Sequence, residues 1–252
     1  MAFLRLNIYS RALGMGTWVE ALVPNPPVPG FEYPLWREKM PALYLLHGLE
    51  GDETSWMRLT GLEREARKHS LCVILPSCGR SFYIDQPNGQ KYFTYITKEL
   101  PEMMENLLPL SKEGRDRFIG GMSMGGYGAV KAALTFPDRY AACFSLSGVL
   151  DAASDAVLSE PEWTGLFGPR ERFHGGENDL NALARMVPAD RSPDICLACG
   201  TEDLLTPMNR RFYEAFREKL PLEWCESPGG HAWDYWDRQI PKMLSWIAKR
   251  AR

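Results

Sequence analysis

Gly120-Gly121-Met122-Ser123-Met124-Gly125-Gly126-Tyr127-Gly128 stands between two segments of different character. Arg117-Phe118-Ile119 leads in as a buried strand, and Ala129-Val130-Lys131-Ala132-Ala133-Leu134 leads out as a helix. Gly121, Ser123 and Gly125 form Gly-x-Ser-x-Gly at the join. A strand that turns at once into a helix forces its corner residue into a strained, left-handed conformation. The positions two before and two after must be nearly free of side chain for the arms to close up. The corner side chain then projects above the sheet edge at a helix start. Ser123 is therefore expected to expose its Oγ beside backbone N–H groups able to bind an oxyanion. The plainer alternative is a glycine-rich turn that packs a helix tightly on a sheet. A phosphate-binding loop is disfavoured, because no Gly-Lys-Ser/Thr follows.

Around this corner the chain has an ordinary globular composition. Its 252 residues are 45% hydrophobic and 24% charged, enough for one large core, and the net charge of -3 gives no pull toward nucleic acid or an anionic membrane. No apolar run approaches the roughly 20 residues that span a bilayer. Met1–Tyr9 alternates like a strand and lacks the apolar core of a signal peptide, so a cytoplasmic protein is expected. Of six cysteines, Cys72, Cys143 and Cys196 lie in apolar strand-like runs, where a thiol acts as a small hydrophobe. Cys196-Leu197-Ala198-Cys199 has metal-like spacing but no second Cys/His pair, and on a strand its thiols point to opposite faces. Neither a metal nor a cofactor is expected.

Phe3–Tyr9 and Gly16–Val23 suit an antiparallel pair turning near Ala12-Leu13-Gly14. A connector with Pro24, Pro26, Pro27, Pro29 and Pro34 follows and reads as a surface loop. Six further strand-like runs come at Ala42–Leu46, Leu71–Leu75, Arg117–Gly121, Ala142–Leu146, Ile195–Ala198 and Leu222–Cys225. Helical segments fall between several of them. Thr60-Gly61-Leu62-Glu63 has capping-box form ahead of Arg64–His69. Leu100–Leu110 carries Pro101 in its first turn, and Met208–Leu220 spaces Phe212, Phe216 and Leu220 by four. Buried strands alternating with helices mean an α/β fold, a mostly parallel sheet with helices on both faces and ligands at the carboxyl ends of the strands. The segment from about 150 to 194 breaks the rhythm and is expected to place short helices over the site as a lid, within a single domain spanning 1–252.

A serine hydroxyl needs a base within hydrogen-bond reach, and the base needs an orienting partner. Four histidines are available. His47 ends an early strand, His69 sits in a charged helix end, and His174 lies in the long segment. His231, in Gly229-Gly230-His231 after the last strand, is the one a glycine-rich loop could return over the sheet edge. Asp203, in Cys199-Gly200-Thr201-Glu202-Asp203, ends the preceding strand; Glu202 is its rival, and Asp194 lies at the wrong end. The order Ser123, Asp203, His231 is the nucleophile–acid–base order used on this sheet architecture. The oxyanion donors expected are the N–H groups of Met124, directly after the nucleophile, and of Leu49 in His47-Gly48-Leu49-Glu50-Gly51. His47 reads as a fixture of that loop. Trp163, Phe167 and Trp233 are candidate walls of an acyl pocket, each with plain core as its alternative, and Glu50 is a candidate polar contact at the site mouth.

Leu45-Leu46-His47-Gly48, Gly121-Met122-Ser123-Met124-Gly125-Gly126-Tyr127-Gly128, Phe144-Ser145-Leu146-Ser147-Gly148, Cys199-Gly200-Thr201-Glu202-Asp203 and Gly230-His231 together resemble the esterase D group of α/β-hydrolases. The likeness is nearest to bacterial tributyrin esterases. It runs nearly end to end, through Met1–Tyr9, the Trp56 region, Asp85 before Tyr92 and Tyr95, Glu99-Leu100-Pro101 and His231–Trp236. It implies a cofactor-free serine carboxylesterase acting on small esters with short acyl chains, with Ser123, Asp203 and His231 on the triad positions and Leu49 and Met124 on the oxyanion positions. Relatives of the group include S-formylglutathione hydrolases, acetyl-sugar and feruloyl esterases, and mycolyl acyltransferases. Acyl transfer and non-catalytic binding on the same fold are thus the rival readings. Two residues depart from the pattern: Glu50 replaces a small or neutral residue, and Pro241 falls within the final helix, where a kink is expected. Assembly as a homo-oligomer is left open.

Overall fold

The computed structural model describes residues 1–26, 29–30, 37–87, 89–154 and 160–251. Pro27 and Pro34 of the proline-rich connector lie outside the described residues. The eight strands are β1 (Ala2–Ser10), β2 (Met15–Val23), β3 (Ala42–Leu46), β4 (Cys72–Pro76), β5 (Arg117–Met122), β6 (Ala142–Leu146), β7 (Asp194–Gly200) and β8 (Leu222–Ser227). They form one sheet in the order β1-β2-β4-β3-β5-β6-β7-β8. β1 and β2 pair antiparallel and β2 joins β4 antiparallel; every other pairing is parallel. All five residues of β3, β4 and β6 are buried, as strands covered on both faces must be.

Period-two alternation divides these strands between two cores. Tyr44, Leu46, Ile119, Cys143 and Leu197 face one, with Val130, Ala133 and Leu134 of helix α5 (Met124–Thr135). Leu43, Leu45, Phe118, Phe144 and Cys196 face the other. That second face is closed by Trp56, Leu62 and Ala66 of α1 (Ser55–Leu59) and α2 (Leu62–Ala66), and by α9 (Trp233–Ala248). α9 remains one helix across Pro241, anchored by buried Ile240, Met243, Leu244 and Ile247.

Several element ends differ from expectation. The capping box at Thr60 does not form: Gly61 is the residue that caps α2, and Thr60 Oγ1 donates to the Trp56 carbonyl while accepting from Leu62 N–H. Ahead of α4 (Leu100–Leu107), α3 (Tyr92–Thr94) runs into a π-helical turn over Tyr95–Glu99, a widening invisible to a 3.6-residue periodicity. α8 spans Thr206–Phe216, with Pro207 in its first turn. The segment after β6 carries α6 (Glu160–Phe167) and α7 (Leu180–Met186). Its aromatic residues Trp163, Phe167 and Phe173 pack on one another, and Phe167 packs on Phe82 and Tyr127, on the α5 side of the sheet.

The chain runs from β3 to β4 on one side, then crosses back to β5 on the other side of β3. The strand order therefore reverses between β3 and β5, and a crevice opens there at their carboxyl ends. The loop after β3 and Ser123 after β5 flank that crevice.

Candidate active site

Ser123 has φ 55° and ψ −119°, the strained corner expected between β5 and α5. The flanking glycines are required by close approach. A Cβ on Gly121 would lie 2.5 Å from the Gly125 carbonyl carbon, and one on Gly125 would collide with the Leu46 carbonyl. The corner is tied from below, since Ser123 N–H donates to Leu146 O at 2.9 Å. Met124 opens α5, so its N–H is among the first-turn donors that have no intrahelical acceptor.

β7 and β8 deliver the other two side chains. Asp203 lies three residues past the end of β7 with its carboxylate fully buried. It accepts from His231 Nδ1, at 2.9 and 3.2 Å to its two oxygens, and from Leu205 N–H at 2.8 Å. His231 Nε2 lies 3.0 Å from Ser123 Oγ. With Nδ1–H given to the carboxylate, Nε2 keeps its lone pair for the serine hydroxyl. Burial opposes the charged form of Asp203, but hydrogen bonds from His231, Leu205 N–H and Ser147 hold its carboxyl below the usual range. Glu202 points elsewhere, bonding Thr201 Oγ1 and Gly229 N–H. It ties the two loops together without reaching the imidazole. His69 and His174 take no part in this cluster; the His174 side chain is 76% exposed.

Ser147 and Trp236 belong to the same buried network, and sequence reasoning did not single them out. Ser147 is fully buried with φ 49°, and the Trp236 indole donates to its Oγ at 3.2 Å. Trp236 also meets the His231 ring edge-on at 5.0 Å. The available signal was Phe144-Ser145-Leu146-Ser147-Gly148, a polar pair at a buried strand end.

The loop after β3 is fixed by side chains from elsewhere. His47 is buried, its Nδ1 2.7 Å from Gly48 O and its Nε2 accepting from Cys78 N–H at 3.0 Å. That pattern defines a neutral ring, and burial lowers its pKa accordingly. His47 is thus a strut, as the sequence suggested. Tyr83 Oη donates to His47 O at 2.8 Å, and Trp56 Nε1 to Leu46 O at 3.1 Å. Phe82 and Tyr83 both have positive φ, at 50° and 52°, and both are fully buried. Two adjacent non-glycine residues in this region store strain. Their aromatic character gave no hint of that backbone shape.

A cavity of about 630 Å³ opens over Ser123 and His231. Leu49, Met122, Val149, Leu204, Leu205, Trp233 and Trp236 supply apolar wall, while Glu50, Ser55 and Arg58 supply polar lining. Of the residues singled out in the sequence, Leu49, Glu50 and Trp233 line this cavity. Trp163 and Phe167 do not: Trp163 is fully buried in the aromatic cluster beneath α6, and Phe167 packs against Phe82 and Tyr127. None of the described residues of 151–194 lines this cavity. The segment buttresses α5 from the side, where Tyr127 Oη donates to Asn178 O at 2.8 Å and Lys131 Nζ to Asn178 Oδ1 at 2.7 Å.

The chain matches the family described as "Putative esterase" over residues 31–247. It is 29% identical to an acetyl esterase of Caldicellulosiruptor saccharolyticus over 263 aligned positions, covering 99% of both chains. Among solved structures it superposes on the fluorophosphonate-binding serine hydrolase F of Staphylococcus aureus with a TM-score of 0.89 and 33% identity, covering 98% of each chain. An S-formylglutathione hydrolase of Staphylococcus aureus gives a TM-score of 0.87 and 32% identity, again over 98% of each. With a family match across most of its length and end-to-end likeness to a serine hydrolase and an S-formylglutathione hydrolase, this chain belongs to the Putative esterase family, in the esterase D and S-formylglutathione hydrolase-like group of α/β-hydrolases, and is a carboxylic ester hydrolase.

Proposed function

We propose that the chain is a serine esterase for short acyl groups, acetyl to butyryl, with Ser123 as nucleophile, His231 as base and Asp203 as the residue that orients it. The carrying observation is the continuous relay from Asp203 through His231 to Ser123 Oγ, at 2.9 and 3.0 Å. His231 Nε2 takes the Ser123 proton as Oγ attacks the ester carbonyl. The N–H groups of Leu49 and Met124 receive the oxyanion, each worth about 3–4 kcal/mol in the transition state. His231 then protonates the leaving alcohol and activates water to release the acid. Asp203 holds the imidazole tautomer throughout. Trp233, Trp236 and Met122 offer apolar wall close to Ser123, which suits a small acyl group. In this reading residues 1–252 are one domain, with 150–194 as a brace in place of a lid. Six unpaired cysteines, five of them buried, suit a reducing cytoplasm.

A second reading, hydrolysis of the thioester S-formylglutathione, is favoured by the polar lining that Glu50 and Arg58 add to the cavity and by the relative of that description. One panel separates the two: p-nitrophenyl esters from acetyl to decanoyl, S-formylglutathione, and acetylated and feruloylated sugars, each with wild type and Ser123→Ala. Fast turnover of the acetyl to butyryl esters, steep decline beyond them, and loss of several orders of magnitude in Ser123→Ala are expected. Retained activity in Ser123→Ala would end the nucleophile assignment. A preference for S-formylglutathione by about 10²-fold or more in kcat/KM would replace the first substrate class with the second.

A further inference from the structure

Besides delivering Asp203 and His231, β7 and β8 set two thiols side by side. Cys225 stands opposite Ala198 in the parallel register, and Cys196 lies two residues upstream on the same face of β7. Their Sγ atoms are 3.9 Å apart. Cys196 is fully buried, whereas Cys225 is the one exposed cysteine of the six. β8 ends the sheet, with only β7 beside it, so a reagent in solvent reaches Cys225 from the open side. The remaining thiols offer no such site. Cys72, Cys78 and Cys143 are buried and their thiols pushed up by burial, while Cys199 is occupied with Thr206 Oγ1 at 3.3 Å.

We propose that Cys225 is a thiol–disulfide exchange site and that Cys196 resolves its mixed disulfide into a reversible cross-link between β7 and β8. The local chemistry supports attack by Cys225. The Cys196 S–H donated to its sulfur, with Lys242 nearby, draws the Cys225 thiol down to about 7 against burial and Glu223. A thiol near ambient pH combines thiolate fraction with nucleophilicity. The co-reactant is a small disulfide of the oxidised-glutathione type. The Cys225 thiolate attacks one of its sulfurs, a mixed disulfide forms, and the first small thiolate leaves. The hydrogen bond to the Cys225 sulfur, followed by burial, holds the Cys196 thiol well above its ordinary range while Cys225 is free. The mixed disulfide removes that thiolate and leaves burial as the opposing cause, so resolution is the slow step: Cys196 gives its proton to base admitted at the open edge and attacks the Cys225 sulfur, expelling the second small thiolate. Two protein thiols lose two electrons and two protons, and the small disulfide gains both to become two thiols. The sulfurs must close by about 2 Å to bond, a movement an edge strand allows more readily than a central one. The cross-link fixes the register of the two strands whose loops hold Asp203 and His231.

The test treats wild type, Cys225→Ser and Cys196→Ala with oxidised glutathione, blocks the remaining thiols by alkylation, and maps peptides by mass spectrometry without reduction. Wild type is expected to lose two hydrogens and yield one linked pair joining the Cys196 and Cys225 peptides, reversed by dithiothreitol. Cys196→Ala is expected to stop at one glutathionyl group on Cys225, and Cys225→Ser to stay unmodified. Wild type that remains unmodified, or Cys225→Ser that reacts as fully as wild type, would overturn the site. Wild type halted at a Cys225 adduct would overturn the role of Cys196. Cys225→Ser changes a surface residue and carries the test even where Cys196→Ala fails to fold. Mass is the readout, so the result stands apart from any finding on ester hydrolysis.

Discussion

Glu202 and Asp203 are adjacent carboxylates with opposite surroundings. The Asp203 side chain is shut away from solvent with donors on both oxygens, whereas Glu202 is exposed and spends its oxygens on Thr201 and Gly229. Asp203→Asn is expected to lower kcat/KM on the order of 10⁴-fold, because an amide facing Nδ1 favours the wrong imidazole tautomer. Glu202→Gln is expected to keep kcat/KM within about tenfold. Kinetics of the two variants with one short ester check both, and the opposite ranking would exchange their roles. The sequence offered both carboxylates and pointed to Asp203 by its place after the strand. The donors that distinguish them, Leu205 N–H and Ser147, became visible only with the loop's path in space.

At the scale of elements, the β7 and β8 loops touch through glycine. A Cβ on Gly200 would collide with the Gly229 carbonyl, pushing the loop that carries His231 away from Ser123. Gly200→Ala is expected to lower kcat by about 10²-fold with an unchanged circular dichroism spectrum; full activity would show that the loops tolerate displacement. Helix α5 makes a different point through Lys131, an ammonium 2% exposed, 2.7 Å from Asn178 Oδ1 and 3.9 Å from the centre of the Phe93 ring. Burial lowers its pKa to about 8 from 10.5, with Glu177 and Asp85 opposing. Between those values the unfolded chain holds the extra proton, so this group makes stability rise with pH from about 8 to about 10.5, by at most about 3 kcal/mol. Denaturant titrations of wild type and Lys131→Met across that range should show the rise in wild type and its absence in the variant. Parallel curves would place the charge in a better-solvated setting. Strand cores were legible because five-residue apolar runs bounded by turns have few other readings. The α2 cap, the π-helical turn before α4 and the positive φ of Phe82 and Tyr83 were not, since each engages partners distant in the chain: Gly61 N–H donates to Asp237, Glu99 accepts from Ser10 and Arg11 N–H, and Tyr83 Oη donates to His47 O.

Across the whole molecule, the strand-order reversal between β3 and β5 brings together residues separated by more than a hundred positions: His231 and Ser123 are 108 apart. Order along the chain pointed to three side chains that the structure brings into contact, because this sheet admits few arrangements of nucleophile, acid and base. It was not enough to locate Trp163 and Phe167. Aromatic residues in a long insertion suit a pocket wall and a packed brace equally, and only the direction in which the insertion folds separates them. Among the described residues no helix is long and apolar enough to cross a membrane, and the cavity over Ser123 opens to solvent on the rim formed by Leu59 and Leu204, 43% and 64% exposed. The central claim is that Ser123 is the nucleophile, and covalent labelling tests it most directly. Native protein treated with a fluorophosphonate and mapped by mass spectrometry is expected to carry one phosphonyl group, on Ser123, with labelling lost in Ser123→Ala and strongly slowed in His231→Ala. An unlabelled protein, or a phosphonyl group on any other residue, would contradict it.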